Sequence, residues 1–473
     1  MGLFFRGGWR IALLTTGLLS VIQPSFGEST PTPPTQGALT QEAQVQFLES
    51  PAEAWFARYQ LIESAQTSIQ TQYFSVYDDD FGRAFQALLM EKARAGVKVE
   101  LMVDARGTYR IWRNPTYDAL IEAGVDVRLY NPILGDGNFA LIASNHDKIL
   151  LVDETQLITG GRNIGAPYFV DHQETADLFA FADFDVWIRF KEKSSSSLES
   201  FYSEFNSKHV RKLKNNSSPQ ETLAAQKLLE RQLSAMRALM RQRNLSEAEI
   251  QEFPLLQRYA SIANFRHFKS FSSSKHYPVR VLDNQSRLQA KAELTEETYR
   301  LIATAKTQIT IQNPYLVLTR RARKALSEAG QRGVKITFLI TSHASTDSLW
   351  TQAILQKEWP DILKSIPGAE MYASKGPETL HAKLMVVDHE KAIVGTYNMD
   401  PLSEKRNSEI AVLIDSPEVA QKVQAHTAWN IANNSVQYDP ITGRGPELID
   451  DPSGEMKILK RRYFWAQLIR PFL

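Results

Sequence analysis

The 473-residue sequence contains no cysteine, which removes disulfide frameworks, thiolate metal sites, iron–sulfur clusters and every cysteine-nucleophile mechanism. Excess charge of one sign is also missing. The 54 Lys and Arg against 53 Asp and Glu leave a formal net charge of +1, unlike a protein that coats a polyanion. Long apolar runs are absent as well: the strongest, Ile11 to Ile22, has 12 residues, short of the about 20 that span a bilayer. What is present is ordinary globular material, 43% hydrophobic and 23% charged, enough to bury a core. Chemistry must come from His, Lys, carboxylates or hydroxyls.

Arg6 and Arg10 precede the apolar run, and Pro24 and Ser25-Phe26-Gly27 follow it, the pattern of a signal peptide over residues 1–27 cleaved after Gly27. With no cysteine there is no lipoprotein anchor. Export without a disulfide suits a bacterial envelope, so the expected location is periplasmic or secreted, peripheral on the membrane. The Thr- and Pro-rich stretch that follows reads as a linker over residues 28–44.

The chain then repeats itself once, at a period near 240 residues. The first copy runs helix (Ala54 to Ala65), strand (Ser68 to Tyr73), helix (Phe81 to Ala95) and a strand opened by Gly96-Val97-Lys98-Val99. The second runs helix (Glu296 to Ala305), strand (Gln308 to Gln312), helix (Arg320 to Ala329) and Gly333-Val334-Lys335-Ile336. Alternating helices and strands imply an α/β fold with a largely parallel or mixed sheet in each half. A duplicated unit of this kind packs on itself about a pseudo-two-fold axis. The expected divisions are a first repeat at 45–192, a basic helical insertion at 193–275, a second repeat at 276–425 and a C-terminal segment at 426–473.

Each copy ends in one constellation: His146, Lys148, Asp153, Gly160 and Asn163, then His381, Lys383, Asp388, Gly395 and Asn398. His to Lys is two residues, His to Asp seven and His to Asn 17, in both copies. Side chains alternate along a strand, so His and Lys point the same way, while Asp153 and Asp388 have opposite parity and should orient neighbouring groups. A doubled set of imidazole, ammonium and carboxamide suits a phosphodiester, whose oxygens accept hydrogen bonds and whose charge needs cations. One His can attack phosphorus while the other protonates the leaving alcohol.

These residues resemble the phospholipase D superfamily and its paired HKD motif. Gly160-Gly161-Arg162-Asn163-Ile164-Gly165, Tyr168-Phe169, Asp183-Phe184-Asp185-Val186, Pro314-Tyr315 and Asn398-Met399-Asp400-Pro401-Leu402-Ser403 resemble its bacterial cardiolipin synthase C-like branch. The resemblance implies two tandem phospholipase D-like α/β sandwich repeats and a two-step phosphatidyl transfer through a phosphohistidine, without metal or cofactor. By that analogy His146 is the nucleophile, His381 the general acid and later base, and Lys148, Lys383, Asn163 and Asn398 hold the phosphate. Tyr73 and Tyr315 would contact substrate. The family also sets a carboxylate against each His: Glu409 for His381, and for His146 Asp185 or Asp183, with Asp185 preferred. Arg162 stands where the second copy has Tyr397, which leaves the halves chemically unequal.

Residues 191–275 carry 15 Lys and Arg against 8 Asp and Glu. Ser218-Pro219-Gln220-Glu221 forms a capping box for a helix with Leu229, Leu233, Met236 and Met240 on one face, and Ser246 and Glu249 repeat it for a second. This hairpin is either an interdomain brace or a basic face for anionic lipid. The segment 457–473, with five basic and no acidic residues, either lies in a bilayer interface or caps the core. The leading function is a phosphatidyltransferase or phospholipase D on membrane glycerophospholipids, with cardiolipin as a possible product and phospholipid and the membrane surface as partners. Nucleic acid is not a partner in this reading, and no oligomer is required because both motifs lie on one chain. The rivals are a secreted nuclease and a non-catalytic lipid-binding protein.

Overall fold

A computed structural model describes residues 39–108, 114–132, 143–175, 179–241, 258–265, 268–286, 291–450 and 454–470. The expected signal peptide, most of the linker and the capping box at Ser246 and Glu249 lie outside them. In the first half the elements are β1 (Gln41–Leu48), α1 (Pro51–Ser64), β2 (Ser68–Tyr73), α2 (Asp80–Arg94), β3 (Lys98–Asp104), α3 (Pro115–Glu122), β4 (Asp126–Tyr130), β5 (Lys148–Val152), β6 (Gln156–Gly160), α4 (Ala166–Phe169), β7 (Phe181–Ala182), β8 (Asp185–Phe190), α5 (Ser195–Phe205), β9 (Val210–Lys212), α6 (Pro219–Arg241) and α7 (Ala260–Asn264). The second half supplies β10 (Tyr277–Asn284), α8 (Glu293–Thr304), β11 (Gln308–Asn313), α9 (Arg320–Gln331), β12 (Lys335–Ile340), α10 (Leu349–Ser365), β13 (Ala369–Ser374), β14 (Thr379–Leu380), β15 (Lys383–Val387), β16 (Lys391–Gly395), α11 (Pro401–Lys405), β17 (Glu409–Asp415), α12 (Pro417–Asn434), β18 (Ser435–Tyr438) and α13 (Glu455–Ile469).

Sixteen strands form one continuous sheet in the order β18-β13-β12-β11-β15-β16-β17-β10-β1-β8-β6-β5-β2-β3-β4-β9. Read outward from the antiparallel β1–β10 pair, the two halves list equivalent strands in the same sequence. That is the expected pseudo-two-fold, and β1 and β10 lie across it. Within each half β2-β3-β4 and β11-β12-β13 are parallel, with helices as crossovers.

The β5 strand shows why its sequence is an unbroken apolar run. Leu150 and Val152 belong to the core under α1, α2 and α3, whereas Ile149 and Leu151 enter a second core shared with Leu384, Val386, Ile410 and Val412 of the other half. Both faces are covered, so all five positions are buried. The hairpin to β6 turns on two consecutive left-handed residues, Asp153 (φ 50°) and Glu154 (φ 59°), as Asp388 and His389 do at φ 54° and 55° in the second half, the backbone that matches strand twist in a tight hairpin.

Three boundaries differ from those expected. β1 begins at Gln41, inside the stretch assigned to the linker. Its Gln-Glu-Ala-Gln-Val-Gln-Phe-Leu pattern buries Ala43 and Leu48 and pairs with both β8 and β10. The start of the supposed insertion belongs to the first repeat: α5 and β9 are the counterparts of α12 and β18, each strand closing its half's outer edge. For the same reason the second repeat continues past 425, through β18.

Of the rest of the insertion, α6 braces the first half. α6 opens on the capping box, with Glu221 N–H donating to Ser218 Oγ and Ser218 N–H to Glu221 Oε2. It packs Leu229, Leu233 and Met236 against the α2 and α3 side of the first core. Arg237 ties it down by ion pairs to Glu63 (2.6 Å) and Glu91 (2.8 Å). α13 docks on α10, burying Leu459 and Ala466 against Val317, Ala353 and Ile354, while Trp465 stays 53% exposed. Among the described residues no helix is long and apolar enough to cross a membrane.

Candidate active site

His146 and His381 sit immediately before β5 and β15, and Lys148 and Lys383 are the first residues of those strands. Alternation aims each His and its Lys to the same side. Asn163 and Asn398 follow β6 and β16, the antiparallel neighbours of these strands. The histidines and lysines of both halves gather where the halves meet: His146 feels Lys148, Lys383 and His381, His381 feels Lys383 and, from the other half, Asp183, and Lys383 feels Lys148.

Two short cross-pairings produce the meeting. Thr379 and His381 donate their backbone N–H groups to the carbonyls of Ala180 and Ala182, both at 2.8 Å, making β7 and β14 a parallel pair. On the symmetric side His146 N–H donates to Ser408 O (3.2 Å) and Ser408 N–H to Ser144 O (3.0 Å). Each histidine is therefore stitched to the residue that precedes a carboxylate of the other half.

This exchanges the expected carboxylate partners. Glu409 does not serve His381: both its oxygens lie 3.0 Å from His146 Nδ1. His381 Nδ1 instead lies 2.7 Å from Asp183 Oδ2. Asp185, two residues further on, opens β8 and points instead into a buried cluster with Arg58 (2.9 Å) and Arg162 (3.3 Å). The two carboxylates are held differently. Glu409 also accepts from Thr396 Oγ1 and Ser403 Oγ, both at 2.5 Å. Asp183 accepts from the Phe184 N–H at 2.8 Å and needs glycine beside it: a Cβ on Gly161 would come within 1.9 Å of Asp183 Oδ1.

Electrostatics separates the pairs further. Burial, reinforced by Lys148, Lys383 and His381, holds the His146 ring well below the usual imidazole range. Burial also pushes Glu409 up to about 7, against the pull of Lys148. Asp183 is equally buried, yet His381, Lys383 and Arg162 hold it at about 2. Burial lowers Lys148 to about 8 and Lys383 to about 7. His381 is lowered by burial and by Lys383, with Asp183 opposing.

The lysines are also placed unequally. Lys148 Nζ donates to the His146 carbonyl at 2.8 Å. Lys383 Nζ reaches the His381 carbonyl at 2.5 Å and His381 Nε2 at 2.9 Å. Asn163 Nδ2 donates to Tyr168 Oη (3.0 Å) and its Oδ1 accepts from Ser75 N–H (3.2 Å), whereas the buried Asn398 Oδ1 has no hydrogen-bond partner among the described residues.

Of the remaining expected residues, Tyr315 lies at the site: its ring is edge-on to His381 at 6.1 Å and its hydroxyl donates to Asp347 at 2.6 Å. Tyr73 does not. β2 turns it into the helix-covered core, edge-on to Phe85 with its hydroxyl accepting from Arg58. Asp153 and Asp388 sit at the far ends of β5 and β15. They accept backbone N–H groups of Gln66, Thr67 and Ser68 and of Lys306, Thr307 and Gln308, locking each hairpin to the start of β2 or β11. Residues not foreseen are Phe74 against His146 (5.5 Å), Phe181 against His381 (5.1 Å) and the Tyr168 ring stacked on Phe181 at 4.4 Å. Aromatic content carries no signal for such placement, but Tyr168 stood within the motif itself.

A family model described as "Cardiolipin synthase, PLD-like domain" matches residues 59–180 and 299–430, together more than half of the chain. The chain is 24% identical over 388 residues to a probable cardiolipin synthase of Bacillus subtilis, covering 81% of this chain but only 65% of that protein's length. It is 25% identical over 435 residues to cardiolipin synthase C of Escherichia coli, covering 81% and 85% respectively. Its fold matches that of the phosphatidylserine synthase of Haemophilus influenzae with a TM-score of 0.63 over 92% of this chain and 97% of the other, at 14% identity. With one match in each half of a pseudo-symmetric sheet, and a His-Lys pair from each meeting at one place, the chain belongs to the phospholipase D superfamily, in the family of cardiolipin synthase PLD-like domains.

Proposed function

We propose that the protein is a phosphatidyltransferase that acts on membrane glycerophospholipids through a covalent phosphohistidine and forms cardiolipin. The observation that carries this reading is the pair of His–carboxylate couples facing one site, with unequal lysines. His146, held neutral, attacks phosphorus through Nε2. The N–P bond forms as the P–O bond to the leaving alcohol breaks. Glu409, beside Nδ1, takes up the positive charge that develops on the ring. His381, having first drawn a proton from Lys383, 2.9 Å from its Nε2, delivers that proton to the departing oxygen and is left neutral. In the second step His381 accepts the proton of the incoming hydroxyl while the N–P bond breaks. Lys148, Lys383, Asn163 and Asn398 hold the non-bridging oxygens, the Asn398 carboxamide being the least engaged by other protein groups.

The same reading puts the enzyme outside the cytoplasm and on a membrane surface. It is supported by the signal-like residues 1–27, by the lack of cysteine and by the exposed Trp429, Ile441 and Trp465 of the C-terminal part. The test is to incubate residues 28–473 with vesicles of phosphatidylethanolamine and phosphatidylglycerol and resolve the products by mass beside the His146→Ala protein. Cardiolipin formed only by the intact protein supports the proposal. Phosphatidic acid alone makes it a hydrolase, and no lipid product refutes it.

A further inference from the structure

Resting on that reading, we propose that Arg162 is a positioning residue that makes His381, rather than His146, the proton donor. The halves are equivalent in backbone but not behind their carboxylates. Arg162 is completely buried. Its guanidinium donates to the carbonyls of Leu48 (2.9 Å), Glu49 (2.8 Å), Tyr168 (3.1 Å) and Asp183 (2.7 Å), and to Asp185 Oδ2 (3.3 Å). Its own N–H reaches Asp185 Oδ1 at 3.2 Å. It thus grips the end of β1, the end of α4 and the backbone of Asp183 itself. Asp185 is shared with Arg58 at 2.9 Å, so two guanidinium groups stand against this one carboxylate directly behind Asp183.

Among the described residues the second half has no counterpart to this cluster. By strand register Gly160 opposes Asp185 while Gly395 opposes Ala411, so alanine replaces the aspartate. Arg162 is replaced by Tyr397, which accepts from the Thr295 hydroxyl at 3.3 Å. Glu409 is held by the hydroxyls of Thr396 and Ser403, which supply no charge. An imidazole beside an ionised carboxylate holds a proton more readily than one beside a carboxyl group that is readily protonated. The pattern at the site agrees, with Asp183 held low and Glu409 pushed up. A buried arginine fixed to four carbonyls places that charge in one half only, and the order of events at phosphorus follows.

The test exploits leaving groups. p-Nitrophenolate departs without a proton, whereas an alkyl alcohol needs one. Arg162→Gln should turn over bis(p-nitrophenyl) phosphate within about threefold of the parent, yet lose about 100-fold or more on phospholipid with an alkyl leaving group. Arg162→Lys, which keeps the charge, should recover part of the loss. Parallel loss on both substrates overturns the proposal, since it would mean that Arg162 only supports the fold. A measurement on the unaltered protein stands whether or not the variants fold: in 15N-histidine NMR spectra His381 should bind its proton at a higher pH than His146, and the reverse order overturns the proposal. That titration needs no turnover. An enzyme that acts on no phosphodiester would refute the proposed function and still leave the arginine's effect measurable.

Discussion

His381 Nδ1 lies 2.7 Å from a carboxylate of the other half, Asp183, and the symmetric His146 reaches across to Glu409. Neither repeat can build a complete catalytic couple from its own residues. The duplication is therefore functional at the level of single hydrogen bonds: the β7–β14 and Asn145–Ser408 pairings must form before either imidazole is oriented.

Crossing makes the two carboxylates separable by mutation. Asp183→Asn removes the ionised partner of His381 and should lower kcat on phospholipid by about 10²–10⁴-fold, while a phosphoryl adduct on His146 still forms from an activated ester. Glu409→Gln replaces a carboxyl that burial already pushes toward neutrality. It should leave His381 intact and slow adduct formation from every ester, because the developing charge on His146 is then unopposed. Intact-protein mass spectrometry after quenching distinguishes the two, and identical effects of both substitutions would contradict the division of roles.

Gly161 offers a steric test of the same couple. Its missing Cβ is occupied by Asp183 Oδ1, and Thr396, its counterpart in the second half, instead donates a hydroxyl to the longer Glu409. Gly161→Ala should displace the Asp183 carboxylate and reduce kcat by about 10²-fold, the usual effect of a misplacement near 1 Å. KM should change much less, and circular dichroism should report an unchanged fold.

Much of this was legible in the sequence because two matched spacings are hard to produce by chance. The paired His-Lys-Asn sets, the α/β repeat and the capping box at Ser218 all depend on local rules. The carboxylate partners depend on something else. From Asn163 to Asp183 there are 20 residues, and from Asn398 to Glu409 only 11, so the repeat is out of step where the acids lie and linear spacing could not match them. Tyr73 failed for a related reason, since whether the last residue of a strand faces the site or the core depends on what covers each face. The linker boundary failed because a period of two over Gln41–Leu48 is short and follows a run of Pro and Thr. The swap itself is a property of packing between halves, which no single repeat encodes.

Exposed aromatics provide a test of membrane contact. Trp429 is 60%, Ile441 94% and Trp465 53% exposed, while Leu459 and Ala466 hold α13 to α10. The double variant Trp429→Ala, Trp465→Ala should keep its melting temperature, as surface changes do, and sediment less with vesicles rich in phosphatidylglycerol. Unchanged sedimentation would exclude these side chains from the membrane-facing surface.

The buried charges of the site should also betray themselves in the pH dependence of stability. Burial lowers the Lys383 ammonium from its ordinary 10.5 to about 7, so the unfolded chain binds this proton more tightly than the folded one. The resulting penalty is complete below pH 7, shrinks as pH rises from 7 to 10.5, and vanishes above. Asp183 acts in the opposite sense: held at about 2 against an ordinary 3.8, it contributes stability above pH 4 that is lost as pH falls toward 2. Replacing Lys383 by Met keeps its length and removes the charge. The Lys383→Met protein should therefore be more stable than the parent at pH 6, by on the order of a few kcal/mol, with the difference fading toward pH 10, and it should be inactive. Thermal melts across that range give the curve directly. A phosphodiester analogue adds a further anion beside this lysine, so it should raise the melting temperature of the parent more than that of the variant. A variant no more stable than its parent at pH 6 would show that folding does not weaken this lysine's hold on its proton, and the electrostatic account of the site would fall with it.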